Sequence, residues 1–220
     1  MSYFITGTDT GVGKTLVSCA LLHAFAARGK HVAGFKPVAA GVDADGMNDD
    51  AKALLAASNI PLSYELANPY CLREAIAPHI AARNEGMTIE LPRIVLALRE
   101  LAAQADVVII EGAGGFLVPL NDKQSVGDLA QALGLPVILV VGMRLGCLNH
   151  ALLTLRTIAG CRLECAGWVA NELQADMPAL EQNIEALRER IEAPLLGRVP
   201  FMSEPDAKLA AHCLDLNVLE

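Results

Sequence analysis

The sequence is short of positive charge. Its 220 residues hold 17 Lys and Arg against 25 Asp and Glu, a formal net charge of -8. A nucleic-acid surface is normally a basic patch that displaces counterions, so this balance excludes DNA and RNA as expected partners. Long apolar runs are missing too. The longest near-continuous ones, 107–110 and 135–141, fall well below the ~18–20 residues that span a bilayer, and no membrane helix is expected. The opening Ser2-Tyr3-Phe4-Ile5-Thr6-Gly7 lacks the basic start, apolar stretch and small-residue cleavage site of a secretory signal. The expected location is the cytosol. The six cysteines are scattered, and the closest pair, Cys161 and Cys165, has neither the two-residue gap nor the second pair of a zinc site. Reduced, mostly buried thiols are expected. No Ser/Gly-rich or Pro-rich linker marks a seam and no internal repeat is visible. At roughly 100–200 residues per domain the length allows one large domain or two small ones, and one domain over 1–220 is expected.

What is present is apolar: 53% of residues are hydrophobic and 19% charged, enough for a sizeable core. Runs rich in Val and Ile alternate with longer segments of helical period, the pattern of an α/β fold in which a parallel sheet is covered by helices on both faces. Strands are predicted at 3–6, 32–36, 107–111, 137–141, 166–171 and 195–199. Helices are predicted at 14–27, 49–57, 91–104, 126–133, 148–158 and 177–191, where apolar residues recur every three or four positions. The stretch 41–86 is less regular, interrupted by Pro61, Pro69 and Pro78. It reads as an excursion over the sheet's edge, long enough to carry function.

The strongest chemical signal is Gly7-Thr8-Asp9-Thr10-Gly11-Val12-Gly13-Lys14-Thr15, between the first strand and the first helix. Such a loop turns backbone N–H groups inward at a helix N-terminus and supplies a Lys to the β/γ-phosphates, with a Thr hydroxyl for Mg²⁺. The spacing is unusual: five residues separate Gly7 from Gly13, and Thr8 holds the usual glycine position. Glu111 ends a buried strand ahead of Gly112-Ala113-Gly114-Gly115, where it is placed to reach Mg²⁺. Lys36 closes the second strand on the same side of the sheet. Two lysines at one anionic centre suggest a second anion besides the nucleotide, a substrate group that accepts phosphate; a surface lysine remains the alternative. Asn171 ends another strand, where its amide can pair with an adenine edge. Around Gly146-Cys147-Leu148-Asn149-His150 a glycine-containing helix start could hold a carboxylate, though an ordinary helix start explains it as well. His79 and His150 have no partner that suggests a role.

Taken together, the loop at Gly7–Thr15, Lys36-Pro37-Val38-Ala39, Asn68-Pro69-Tyr70, Pro78-His79, Glu111-Gly112-Ala113-Gly114-Gly115, Gly146-Cys147-Leu148-Asn149-His150-Ala151, Gly167-Trp168-Val169-Ala170-Asn171 and Pro194-Leu195-Leu196-Gly197-Arg198-Val199-Pro200 resemble the dethiobiotin synthetases, in order and through nearly the whole chain. That family's phosphate loop has the same five-residue spacing. The resemblance implies a P-loop NTPase fold and an ATP- and Mg²⁺-dependent ring closure in biotin biosynthesis, in which 7,8-diaminononanoate and CO₂ give dethiobiotin, ADP and phosphate through a carbamate. It implies that Lys36 and Lys14 neutralise the carbamate and the phosphoryl group, that Thr10 lies beside the diamine, and that Thr15, Asp50 and Glu111 ligate Mg²⁺. The nucleotide would be held by Gly11, Val12, Gly13, Lys14, Thr15 and Leu16, with Asn171, Glu172 and the turn Pro200-Phe201-Met202 around adenine. Leu148 and Asn149 would bind the substrate carboxylate across a homodimer interface. Two positions depart from the family pattern: Ala40 stands where a serine can contact substrate, and Gly11 where an acidic residue can occur.

Two other classes use related folds. An ATP-driven switch usually carries an extra lysine early in the loop, where Asp9 sits here, and often a basic amphipathic tail, whereas 207–220 has only Lys208. A glutamine-dependent amide ligase needs an added amidase domain with a Cys nucleophile, for which no length remains.

Overall fold

In the computed structural model, which describes residues 1–219, the elements run β1 (Ser2–Gly7), α1 (Lys14–Ala27), β2 (Val32–Phe35), β3 (Val38–Ala40), α2 (Asp49–Ala57), α3 (Tyr64–Ala67), β4 (Tyr70–Leu72), α4 (Pro78–Asn84), α5 (Leu91–Ala102), β5 (Val107–Gly115), α6 (Val126–Leu133), β6 (Val137–Met143), α7 (Cys147–Gly160), β7 (Cys165–Glu172), α8 (Leu180–Arg188), β8 (Leu195–Val199) and α9 (Ala207–Ala211). Six strands make one sheet in the order β2-β5-β1-β6-β7-β8, every neighbouring pair parallel. No helix among the described residues is long and apolar enough to cross a membrane.

Both faces of the sheet are buried, which is why its strands read as continuous Val/Ile runs. Successive residues feed opposite cores. Phe4, Val108 and Ile110 pack with α5 and α6 on one face, while Tyr3, Ile5, Val107 and Ile109 pack with α1, α2 and α9 on the other. A third cluster joins Leu139, Val141 and Trp168 to α7 and α8. Helix α1 buries Val17, Leu21, Leu22 and Phe25 at 1% exposure or less. At about 1.5–3 kcal/mol per side chain this far outweighs the ~1 kcal/mol that a missing N-terminal cap costs. The helix can therefore leave its first turn open.

The predicted strands all form, with β1, β6 and β7 a residue or two longer; β2 stops at Phe35, so Lys36 follows the strand instead of closing it, and β5 runs on to Gly115, so Glu111 lies within the strand instead of ending it. The predicted helix 177–191 is shorter, Leu180–Arg188, because Pro178 and the left-handed Ala179 (φ 55°) precede it. The stretch 41–86 departs most from expectation. Besides α2 it folds α3, α4 and β4, and β4 pairs in parallel with β3, which lies just ahead of the stretch, as a second sheet whose Val38, Tyr70 and Leu72 belong to the core. Of the six cysteines, all free, only Cys19 and Cys147 are buried; the other four are partly exposed, so the thiols are less buried than expected.

Candidate active site

The strand order reverses beside β1: the chain moves out to β2, returns to β5, then crosses to β6, β7 and β8 on the far side. Ligands bind beyond the carboxyl ends of parallel strands at such a point, and the glycine-rich loop sits there. Gly11 and Gly13 have φ of 72° and 86°, a region costly for any residue with a Cβ. Thr8 does not: among the described residues only Arg162 and Ala179 are non-glycine with positive φ. That explains why a threonine can stand in the usual glycine position. Its N–H donates to Val140 O at 3.0 Å, and its hydroxyl accepts from Gly142 N at 3.4 Å. Gly13 heads α1 with no side chain capping it, so the first-turn N–H groups face the crevice as an anion site. Lys14 is buried, with Nζ donating across the loop to Asp9 O at 2.9 Å. Burial lowers its pKa from the ordinary value, against the pull of Glu111.

Lys36 points inward. Its side chain is 5% exposed, and Nζ lies 2.8 Å from Asp50 Oδ2 and 2.5 Å from Glu111 Oε1. Strand register puts it there. Phe35, the last residue of β2, pairs with Ile110, which makes Lys36 a neighbour of Glu111 midway along β5, and Ile5 of β1 pairs with Glu111 from the other side. Burial alone would lower the Lys36 pKa, but Glu111 and Asp50 outweigh it and hold the ammonium above its ordinary value. Burial likewise pushes the Asp50 carboxyl up, and the charge and hydrogen bond of Lys36 bring it below the ordinary value.

Thr15 Oγ1 lies 2.8 Å from Asp50 Oδ1 and 2.9 Å from Glu111 Oε1. One hydroxyl proton serves only one of these oxygens, and Glu111 Oε2 is buried with no hydrogen-bond partner. A hydroxyl between two carboxylates, with one carboxylate oxygen orphaned, is a donor set suited to Mg²⁺. No group of three or more His, Cys, Asp or Glu among the described residues could hold a metal. The fit is therefore to an ion that keeps much of its shell as water and phosphate, as Mg²⁺ does.

The remaining predicted residues surround this cluster at different distances. Asn171 is buried at the end of β7, its Nδ2 donating to Val12 O at 2.9 Å; a Cβ on Gly13 would stand 2.1 Å from that nitrogen. The amide thus braces the phosphate loop from behind. Register pairs Asn171 with Val199, which brings Pro200, the 44% exposed Phe201 and Met202 alongside. Glu172 is engaged by Arg198, which also reaches Glu181 at 2.5 Å. Leu16 packs under the loop against the α1 core, and Ala40 ends β3, half-buried. Thr10 is exposed and, with Phe116, Leu117, Val118 and Leu153, lines a cavity of about 410 Å³. Leu148 and Asn149 lie in the first turn of α7, beyond β6, on the other side of β1 from Lys36. A larger cavity of about 800 Å³, between α4, the start of α5 and residues 120–124, contains none of these residues.

Comparison with known proteins shows the family and the fold. A family model described as an AAA domain matches residues 1–208. The ATP-dependent dethiobiotin synthetase BioD of Nitrosospira multiformis is 55% identical over 214 residues, 97% of this chain and 94% of that protein. Its counterpart from Aromatoleum aromaticum is 52% identical over 218 residues, 98% and 97% of the two chains. This chain belongs to the dethiobiotin synthetase family. Solved structures share the fold at low identity. Cobyrinic acid a,c-diamide synthase from Mycobacterium smegmatis, with an ATP analog and magnesium, aligns with a TM-score of 0.57 at 16% identity, covering 96% of this chain and 91% of that one. The septum site-determining protein MinD of Pyrococcus horikoshii, with Mg-ADP, aligns at 0.55 and 18%, covering 96% and 85%. At these identities the likeness shows the fold alone.

Within this dethiobiotin synthetase fold, one contact escaped sequence reading. Asp9 Oδ2 binds Arg144 at 2.5 Å, and Asp9 Oδ1 accepts from Thr10 N at 2.7 Å. The Thr10 N–H lowers the pKa of the Asp9 carboxyl most, burial pushes it back up, and Arg144 helps to keep it below the ordinary value. The pair ties the phosphate loop to the turn that leads into α7. Its partners are 135 residues apart, and the only sequence signal was an acidic residue in the loop where related ATPases place lysine.

Proposed function

We propose that this chain closes the cyclic urea of dethiobiotin from 7,8-diaminononanoate, CO₂ and ATP at the crevice bounded by the phosphate loop, Lys36 and the cavity beside Thr10. Family membership supports the reaction. The observation that carries the assignment of roles is the inward Lys36, one loop away from Lys14. In this reading one amine adds to CO₂ and loses a proton, giving a carbamate whose oxygen attacks the γ-phosphorus as ADP leaves. The second amine then attacks the carbamate carbon, phosphate departs, and a further proton is lost as the ring closes.

Each residue role follows from position. Lys14 and the open N–H groups of Gly11, Val12, Gly13 and Thr15 receive the β- and γ-phosphates. Lys36, held cationic by its two carboxylates, neutralises the carbamate; an ammonium in that state offers charge, not basicity. Thr15, Asp50 and Glu111 would hold Mg²⁺, which when bound screens the phosphate charge. Thr10 faces the diamine, and the cavity wall of Phe116, Leu117, Val118 and Leu153 suits its carbon chain. Ala40 and Leu16 border the diamine and nucleotide respectively. Asn171, Glu172 and the turn 200–202 take the adenine. The first turn of α7, at Leu148 and Asn149, has no side-chain cap and so offers N–H groups to the substrate carboxylate of a second copy. The working unit is then a cytosolic homodimer.

The test incubates the protein with ATP, Mg²⁺, bicarbonate and the diamine, omitting each in turn and following phosphate release and dethiobiotin. All four are expected to be required. ATP hydrolysis indifferent to the diamine would overturn the reading in favour of a nucleotide switch. Lys36→Ala is expected to keep nucleotide binding by calorimetry while losing turnover.

A further inference from the structure

The segment Asn68-Pro69-Tyr70 and the tyrosine before it have no part in phosphate chemistry, yet their side chains are committed to polar contacts beneath the site. Asn68 is 3% exposed, and its Nδ2 donates to Lys36 O at 2.6 Å. Lys36 N in turn donates to Ala67 O at 2.8 Å, so residues 67 and 68 grip both backbone groups of the lysine. Asn68 Oδ1 accepts from Tyr64 Oη at 3.1 Å, and that oxygen accepts from Asn48 N at 2.7 Å. Asn48 is the cap of α2: its Oδ1 accepts from Ala51 N at 3.2 Å. The first turn of that helix carries Asp50, whose Oδ2 returns to Lys36 Nζ at 2.8 Å. The circuit is closed.

We propose that Tyr64 and Asn68 are positioning residues, through which the strand end bearing Lys36 and the helix start bearing Asp50 are fastened into one frame. The two elements are joined by a 13-residue connection from 36 to 48, in which β3 is paired with β4 but the exposed turn 43–46 stands between β3 and α2, a poor way to hold two charged groups within 2.8 Å. The phenol supplies what the connection lacks. A single oxygen that accepts from α2 and donates toward the lysine sets the distance between them, as one rigid spacer. Burial, then the Cys71 thiol at 3.3 Å, push the Tyr64 pKa up to about 12, so the phenol stays a donor at any working pH. Asn68 is suited to its place because an amide offers a donor to Lys36 O and an acceptor to Tyr64 together.

The inference rests on the reading of Lys36 given above, and its test separates the two. Tyr64→Phe removes one oxygen and keeps the ring. Turnover with the diamine is expected to fall about tenfold, with the KM for ATP and the ADP affinity within about twofold of the parent, since displacement of a positioned group costs rate more than nucleotide binding. Amide hydrogen exchange in segments 35–40 and 48–51 is expected to rise together, with exchange in β1, β6 and β7 unchanged. Asn68→Asp, which keeps the acceptor and removes the donor to Lys36 O, is expected to show the same split. Turnover within about twofold of the parent, or equal losses of turnover and ATP affinity, or faster exchange in one segment only, would overturn the frame. Full turnover in Lys36→Ala would instead overturn the role of Lys36, leaving the exchange result to decide the frame on its own.

Discussion

A buried ammonium is tolerated only where charge and hydrogen bonds replace its water, and Lys36 meets that condition through Asp50 and Glu111. The converse makes it fragile. Lys36→Ala leaves the buried Glu111 carboxylate without its cation, a change of about 3–5 kcal/mol in comparable buried pairs, while the half-exposed Asp50 is screened by water and loses less, so the melting temperature is expected to fall along with turnover. The same pairing sets a pH window. Asp50 is held below its ordinary value near 3.8, so its contribution to stability is fully present above that value and is lost as pH falls through the lower folded-state value. Lys36 is held above its ordinary value near 10.5, so its contribution is fully present below that and is lost as pH rises through the higher folded-state value. Between these limits the pair adds a constant amount. In Asp50→Asn the acid limb of melting temperature against pH is expected to flatten; a limb unchanged from the parent would show that other carboxylates control it.

At the scale of elements, the phosphate loop is held from two sides: Asn171 braces Val12 from β7, and Arg144 grips Asp9 from the turn after β6. The second contact is half exposed, and such pairs contribute about 0–1 kcal/mol to stability. Its effect lies in loop position instead. Arg144→Ala is expected to leave melting nearly unchanged and to raise the KM for ATP several-fold; equal KM values would show that the loop holds its shape without this clasp. These elements also show what a sequence can reveal. Strands buried on both faces are readable because their apolar runs are unbroken, and Lys14, Thr15, Lys36 and Glu111 are readable because each closes an apolar run or sits at a loop-to-helix junction. Strands β3 and β4, three residues each, are too short for a period, and α3 with four residues and α9 with five are no better. Arg144 and Tyr64, and the role of Asn68 within its motif, were hidden for another reason. Their partners are fixed by tertiary register, so no local pattern marks them, and Asp50 was found only through likeness to a family.

For the whole molecule the open question is the second copy. Leu145 is 98% exposed, Leu117 64% and Leu153 55%. Single exposed leucines are ordinary, but Leu117 and Leu153 line the same 410 Å³ cavity beside Thr10, and Leu145 stands two residues before α7. In the site proposed above, a monomer would leave the diamine's carbon chain open to water along that wall, whereas a partner whose α7 packs there would cover the chain and present its own helix start to the carboxylate. Sedimentation is therefore expected to give a dimer for the parent and a monomer for Leu153→Asp, because a buried carboxylate without a partner is costly at an interface. The monomeric variant is expected to bind ADP with parental affinity, since the phosphate loop and Asn171 lie within one chain, and to show a KM for the diamine raised by about tenfold or more. A parent that sediments as a monomer with full turnover would remove the second copy from the site and leave the carboxylate to be held within one chain.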